Sequence, residues 1–310
     1  MAKLIILCGL PGSGKSSYAK AFKDYDDAIY EGNTVIHSSD AIRGELFGDP
    51  SFQGDNAKVF ELMHKRVKAD LQAGKTVIYD ATNVTRKARR GAINLAHPTN
   101  DTIECHIIWA DPEECIRRDY LRDRKVGPAV IDKMLRRWQS PWLDEGFDKI
   151  SLTVYQPDFD QVTYIAQAVA NMHIPHENPH HQLGVWEHCQ EAKSWLIKNF
   201  EKTPDKTPFA LETAAMWHDI GKPYTKFFKP GENIVHYYDH HCVGGYLSYG
   251  LFLKPGANVI YDYEVEKICF ISWLISNHME PFFNSSYYKT LSQQWKWYID
   301  TLHSADINAH

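Results

Sequence analysis

An apolar run at residues 4–8 delivers the chain directly into Gly9-Leu10-Pro11-Gly12-Ser13-Gly14-Lys15-Ser16, and an amphipathic stretch begins at Ser16. Strand, then GxxxxGK[ST], then helix is an order that leaves few folds open, because it brings successive backbone N–H groups and a helix N-terminus onto one anion. The glycines let those N–H groups turn inward around a β-phosphate, Lys15 reaches the β- and γ-oxygens, and the Ser16 hydroxyl binds Mg2+. Gly12, Ser13, Gly14, Lys15, Ser16 and Ser17 are the expected cradle, with ATP and Mg2+ the expected ligands.

The rest of the first half fits that start. Runs at 4–8, 76–80 and 104–110 alternate with amphipathic stretches at 16–23, 56–73 and 112–124, and a last run lies at 151–155. This is the βαβ pattern of an α/β domain, a parallel sheet flanked by helices, over residues 1–157. Three prolines between 156 and 179, around a helical stretch at 159–169, mark a linker over 158–179. From 180 to 310 the period is helical, at 185–200, 209–218, 240–253, 263–278 and 291–309, so the second domain is expected to be all-α. A chain of 310 residues with 44% hydrophobic content suits two cores. Six cysteines without a CxxC pair read as reduced thiols, and the apolar run at 4–8 is far too short for a bilayer. A cytoplasmic protein without membrane association is expected.

Charge and histidine separate the halves. Residues 1–150 hold 23 Lys/Arg against 22 Asp/Glu, and 151–310 hold 11 against 17, yet twelve of the sixteen histidines fall in the second half.

Three further segments of the first half carry chemistry. Asp40 follows a run at 34–36, with Arg43 on the same helical face: the carboxylate can accept a hydroxyl proton and the guanidinium can clamp a phosphate, or Asp40 caps a helix beside a solvated Arg43. Asp80 ends the run 76–80, where open α/β sheets place ligands, and Asn83 and Arg86 lead a basic cluster suited to an anionic substrate. Residues 112–138 then hold eight basic positions (117, 118, 122, 124, 125, 133, 136, 137). Such arginines either cross a γ-phosphate from a lid or form a solvated face paired with Glu113, Glu114, Asp119 and Asp123.

The order GLPGSGKSS, SSDAIR, DATN, RKARR and RRDYLRDRKVGPAVIDKM resembles the bacteriophage-type polynucleotide 5′-kinase family. That resemblance covers about half the chain. It implies Asp40 as general base on a 5′-hydroxyl, Arg43 on the adjacent nucleic-acid phosphate, and Arg122 or Arg124 as the lid arginine.

In the second half, His188, His218-Asp219, Lys222, His240, His278 and Asp306 lie in or at the ends of apolar helical stretches. They supply an N/N/O/O set for a divalent cation, with further histidines for a second ion sharing Asp219. Such a pair activates water and clamps the oxygens of a displacement at phosphorus. Lys222 is placed to steady the phosphate. Imidazole-rich sets favour Mn2+, Ni2+, Co2+ or Zn2+ over Mg2+. His236 and His241 have weaker claims, and His173, His176, His180, His181, His303 and His310 are expected on linker, surface or tail.

Val185-Trp186-Glu187-His188 and HDIGK resemble the HD-domain metal phosphohydrolase superfamily over 180–310. Together the halves resemble fused HD-domain/polynucleotide-kinase end-repair enzymes. The resemblance implies phosphorylation of 5′-OH ends and removal of a 2′,3′-cyclic, 2′- or 3′-phosphate, on RNA or DNA ends that a separate ligase then joins. The competing expectations are a small-metabolite or nucleoside kinase fused to a nucleotide phosphohydrolase, and an ATP-binding regulator.

Overall fold

Leu4, Ile5, Ile6, Leu7 and Cys8 are all fully buried. A strand can be buried at consecutive positions only when both faces of its sheet are covered. In the computed structural model, which describes residues 2–30, 32–50, 52, 54–97, 101–176, 183–199, 208–253 and 262–309, this strand (β1, Lys3–Cys8) is the centre of a five-stranded parallel sheet. The other strands are β2 (Thr34–Ser38), β3 (Thr76–Asp80), β4 (Thr102–Trp109) and β5 (Lys149–Val154), in the order β2-β3-β1-β4-β5. Leu4 pairs with Val77 on one side and Ile103 on the other.

The crossovers are α1 (Lys15–Tyr30), α2 (Ser39–Phe47), α3 (Asn56–Gln72), α4 (Arg86–Ile93), α5 (Pro112–Tyr120) and α6 (Pro128–Leu135). Their starts are written locally. Asp55, Thr85 and Asp111 each accept a backbone N–H of the first turn, and α5 adds Pro112 at its first position with Glu113 and Glu114 behind it. Ser38, not Asp40, occupies the N-cap position of α2, so the capping alternative for Asp40 falls.

The chain divides into two units. One comprises Met1–Met134, Pro141–Pro157 and Ala257–Val265, and the other Leu135–Ser140, Asp158–Gly256 and Glu266–His310. The second holds α7 (Gln161–Met172), α8 (Val185–Asn199), α9 (Pro208–Trp217), α10 (Lys222–Thr225), α11 (His240–Leu247), most of α12 (Asp262–Asn277), α13 (Glu280–Phe283), α14 (Ser286–Thr290) and α15 (Gln293–Ile307). It also holds a two-stranded antiparallel ribbon, β6 (Phe227–Phe228) with β7 (Val235–His236), where an all-helical half was expected. Helices α8, α9 and α15 pack on one another.

Two stretches sit otherwise than their sequence suggests. The segment 158–179, read as a linker, contains α7, whose Ala168 and Met172 are buried and whose Tyr164 hydroxyl donates to Leu247 O (2.7 Å). Residues 135–140, at the end of the basic stretch, belong to the helical unit: Trp138 is fully buried edge-on to Tyr246 (4.9 Å), and Ser140 bonds Ser272 (2.7 Å) and Ser276 (2.9 Å). Among the described residues, no helix is long and apolar enough to cross a membrane.

One buried ion pair ties α4 to the turn before β5. Arg89, fully buried, gives Nε and Nη2 to the Glu145 carboxylate (2.8 and 2.6 Å) and Nη1 to Asn83 O (3.0 Å). Removing one partner strands the other charge in the core. Arg89→Met is expected to lower stability in urea denaturation by about 3–5 kcal/mol, with the double substitution Arg89→Met/Glu145→Met regaining much of that. Equal stability of the single and double variants would show that the pair has no such role.

Candidate functional site

The phosphate loop is held open by backbone geometry that only glycine adopts freely. Gly12 has φ +86° and Gly14 φ +101°. A Cβ at Gly12 would collide with the Cys115 carbonyl, and one at Gly14 with the Tyr155 ring. Gly9 N–H donates to Thr82 O (3.0 Å), which binds the loop to the end of β3. Lys15, buried, folds over the loop and donates Nζ to Gly9 O (2.9 Å) and Leu10 O (2.7 Å). Burial pushes the Lys15 ammonium down, and the Asp80 carboxylate opposes that shift. Ser16 Oγ donates to Asp80 Oδ2 (3.0 Å). Asp80, expected on the substrate, lines the cleft and accepts from the Ser16 hydroxyl, the pairing of hydroxyl and carboxylate that holds Mg2+ in P-loop enzymes.

Ser38 ends β2, Asp40 and Arg43 follow in α2, and Arg122, Asp123, Arg124 and Lys125 come from the turn after α5. With Lys15, Ser16 and Asp80 they line one cleft of about 1030 Å3. Arg43 is buried and donates Nη1 to Asp40 Oδ1 (2.7 Å) and Nη2 to Asn56 Oδ1 (2.9 Å). Arg124 Nη1 lies 2.5 Å from the other Asp40 oxygen. The Asp40 side chain stays 57% exposed, so the carboxylate opens on the cleft while two guanidiniums hold it.

Several sequence expectations change here. Among the described residues that line the cleft, neither Asn83 nor Arg86 is found. Asn83 is buried with φ +49°, and its amide donates to Leu7 O (2.7 Å), so it fastens the β3 end rather than meeting a substrate. Of the basic cluster after Asp80, Arg89 is wholly internal. Arg117 and Arg118 pair with Glu114, the solvated-face alternative. Arg118 does more: Nη2 donates to Tyr155 O (2.6 Å) and Nη1 to Gly12 O (3.4 Å), bracing the phosphate loop. Nothing in the spacing of the eight basic positions separates it from its neighbours.

The second unit gathers its histidines around Asp219, which is fully buried just past α9. His188 comes from α8, His218 precedes Asp219, His240 opens α11, His278 follows α12 and Asp306 lies in α15. Their rings share one device. Nδ1 of His218, His240 and His278 each bonds a carbonyl three residues back, Ala215, Tyr237 and Ile275 (all 2.8 Å), and His188 Nδ1 meets Ala309 O at 3.2 Å. A carbonyl only accepts, so Nδ1 carries the proton and Nε2 is turned inward with its lone pair.

The Nε2 atoms and carboxylates form two adjoining sets: His188, His218 and Asp306, and Asp219, His240 and His278. His218 Nε2 is 3.3 Å from both Asp219 Oδ2 and Asp306 Oδ1. His240 Nε2 is 3.1 Å from His278 Nε2. Burial pushes His240 well down and is the largest cause that brings His278 to about 4, so both rings are neutral at ordinary pH. Two neutral Nε2 lone pairs facing each other repel unless a cation lies between them. His218 Nε2 and Asp219 Oδ2 are also buried without a well-aligned hydrogen-bond partner. The donor set thus fits divalent cations, with nitrogen ligands that suit the later transition metals.

Lys222 does not point into open space as a phosphate contact would. Its Nζ lies 2.5 Å from Asp219 Oδ2 and 2.9 Å from His176 Nε2. His176, assigned to linker or surface by sequence, is buried at 2% exposure, with Nδ1 on Leu183 O (2.8 Å). It precedes α8 in an irregular stretch, where no periodicity could have singled it out. His173 is exposed on Val169 O and His236 pairs with Glu232, while His180, His181 and His310 lie outside the described residues.

Residues 4–141 match the family model described as an AAA domain. The L-seryl-tRNA(Sec) kinase of Methanococcus maripaludis is 27% identical over 157 residues, 49% of this chain and 58% of that protein. The shikimate kinase of Chlamydia pneumoniae is 36% identical over 101 residues, 30% of this chain and 57% of that protein. A chain in the structure of the Pnkp1/Rnl/Hen1 RNA repair complex matches with a TM-score of 0.38 and 26% identity, over 44% of this chain and 43% of that one. The chain thus spans little more than half the length of the two kinases it matches. Sheet order and phosphate loop make the first unit a P-loop domain, similar in sequence to these two kinases, with ATP and Mg2+ as the ligands its loop fits.

Gly12→Ala tests the loop. With φ at +86° and the Cys115 carbonyl in the way, the added methyl is expected to weaken ATP binding by roughly tenfold to a hundredfold. Isothermal titration checks this, and unchanged affinity would show that the loop does not need the observed backbone.

Proposed function

We propose that the chain heals broken polynucleotide ends: its first unit phosphorylates a 5′-OH with ATP, and its second removes a 2′,3′-cyclic, 2′- or 3′-phosphate. The observation that carries the reading is that each unit holds a complete constellation of its own. Lys15, Ser16, Asp80, Asp40 and Arg43 line or border one cleft, and the histidines surround Asp219.

In the first unit Asp40 takes the proton of the acceptor hydroxyl. The freed oxygen bonds the γ-phosphorus, and the bond from that phosphorus to the β-bridging oxygen breaks to leave ADP. Arg43 turns from Asp40 to the neighbouring phosphate of the strand, while Arg122 or Arg124 spreads the charge of the loose transition state. Ser16 and Asp80 would hold Mg2+, which neutralises charge on the phosphate oxygens. In the second unit His188, His218, Asp219, Asp306, His240 and His278 would hold the cations, whose Lewis acidity polarises a phosphoryl oxygen. Lys222 and His176 fix the Asp219 carboxylate. The six cysteines, which form no disulfide among the described residues, suit the cytoplasm, and the ends produced are those a separate ligase joins. A second reading, a kinase for a small hydroxyl compound, draws on the shikimate kinase likeness and predicts equal use of nucleosides and oligonucleotides.

Asp40→Asn is expected to keep ATP affinity while lowering phosphate transfer to a 5′-OH oligonucleotide by ~100-fold or more. Full activity of that variant would remove Asp40 as the base. On one RNA with a 5′-OH and a 2′,3′-cyclic phosphate, Lys15→Ala is expected to silence only the 5′ reaction and Asp219→Ala only the other. Loss of both by either substitution, in a protein still folded by circular dichroism, would rule out two independent sites. Elemental analysis of the purified chain is expected to find a transition metal that Asp219→Ala no longer retains; equal metal content in the two proteins would overturn the assignment.

A further inference from the structure

The ribbon β6–β7 carries a surface the two sites leave unused. Side chains alternate along a strand, and here Val235 and Tyr237 turn inward while His236 and Tyr238 share the other face. Phe227 pairs across the ribbon with His236. The three rings close on one another: Phe227 to Tyr238 5.2 Å, Phe227 to His236 5.5 Å, and His236 stacked on Tyr238 at 5.3 Å. Tyr238 and Phe228 are each 53% exposed.

The ribbon is tethered to the histidine cluster at both ends. β6 starts two residues after Thr225, the last residue of the helix that Lys222 opens. Beyond β7, Tyr237 accepts from His240 Nδ1 and donates its hydroxyl to His176 O (2.7 Å). A second ring pair, half-buried His241 and exposed Phe283, borders the same cluster. His241 lies 5.7 Å from His240 and 6.3 Å from His278, and the exposed Phe283 lies 5.5 Å from His241.

We infer that these rings are a stacking platform for the bases of a single-stranded nucleic acid, so that the second unit takes a polynucleotide end rather than a free nucleotide. Flat rings bordering a cation-ligand cluster match what a strand presents, a run of π-faces on a phosphate backbone. A cation stands beside the rings: Lys229 Nζ lies 5.7 Å from the Tyr238 ring centre. The charge of residues 151–310, 11 Lys/Arg against 17 Asp/Glu, leaves stacking rather than phosphate attraction as the main source of affinity. The inference rests on the phosphohydrolase reading only for which end of the strand is held.

The test uses the full chain and needs no turnover. A short single-stranded RNA carrying iodouridine near its 3′ end is irradiated with the protein in EDTA, and the adducts are mapped by mass spectrometry. Adducts are expected within residues 227–238 or at His241 and Phe283. By fluorescence anisotropy, Phe227→Leu/Tyr238→Leu, which keeps an apolar surface but removes two rings, is expected to lose those adducts and to weaken RNA binding about tenfold or more. ATP affinity should not change, and the binding should fall only shallowly with added salt. Adducts confined to the first unit, or unchanged RNA affinity in the double variant, as when the rings serve a protein partner, would overturn the inference. Failure of the unsubstituted protein to release phosphate from any RNA end would instead overturn the phosphohydrolase reading and leave the adduct map standing.

Discussion

Parallel strands covered on both faces have to present their chemistry at their ends. With Leu4 to Cys8 fully buried, β1 has no face to offer, and the backbone groups released at its carboxyl end become the phosphate loop. The same constraint acts on β2 and β3, which the sheet order places on one side of β1. Their carboxyl ends deliver Asp40 and Asp80 to the same cleft as Lys15. One topological fact thus brings together a loop, an acidic partner for its serine, 64 positions away, and a second carboxylate.

The helical unit solves a different problem. A buried carboxylate is stable only if something opposes its charge, and Asp219 is opposed from several directions at once. Burial alone would push it upward, yet His218, Lys222 and His176 hold its carboxyl well below the usual range. Lys222 supplies a full charge at 2.5 Å. The imidazoles of His218 and His278 are aimed by carbonyls in the last turns of the helices they follow, that of His240 by the Tyr237 carbonyl just before α11, and that of His188 by the Ala309 carbonyl just past α15. Precision in the cluster therefore comes from helix termini, while the helices themselves are held by ordinary apolar packing among α8, α9 and α15.

Much of this was legible in the sequence. The glycine pattern after an apolar run fixed the loop, because its φ angles exclude other residues, and the His/Asp elements stood out because few soluble helices carry so much imidazole in apolar surroundings. What escaped detection was held by tertiary contact. Asn83 and Arg89 look like substrate ligands in a basic cluster, but their partners, Leu7 O and Glu145, lie 76 and 56 residues away. His176 has no period to mark it. The ribbon β6–β7 is too short to produce an alternating pattern, and α7 looked like a connection because prolines flank it on both sides.

The placement of Asp40 between Arg43 and Arg124 bears on economy of ATP use. Both carboxylate oxygens are directed at guanidiniums, at 2.7 and 2.5 Å, and in that arrangement neither is aimed at an incoming hydroxyl. A water molecule entering the cleft brings no anion to draw either arginine away. In the proposed transfer, a strand that carries a phosphate beside its 5′-OH does, and in binding it would exchange one guanidinium from the carboxylate onto itself. On that reading the acceptor unlocks the base it needs, and the nucleotide is protected from idle hydrolysis until it arrives.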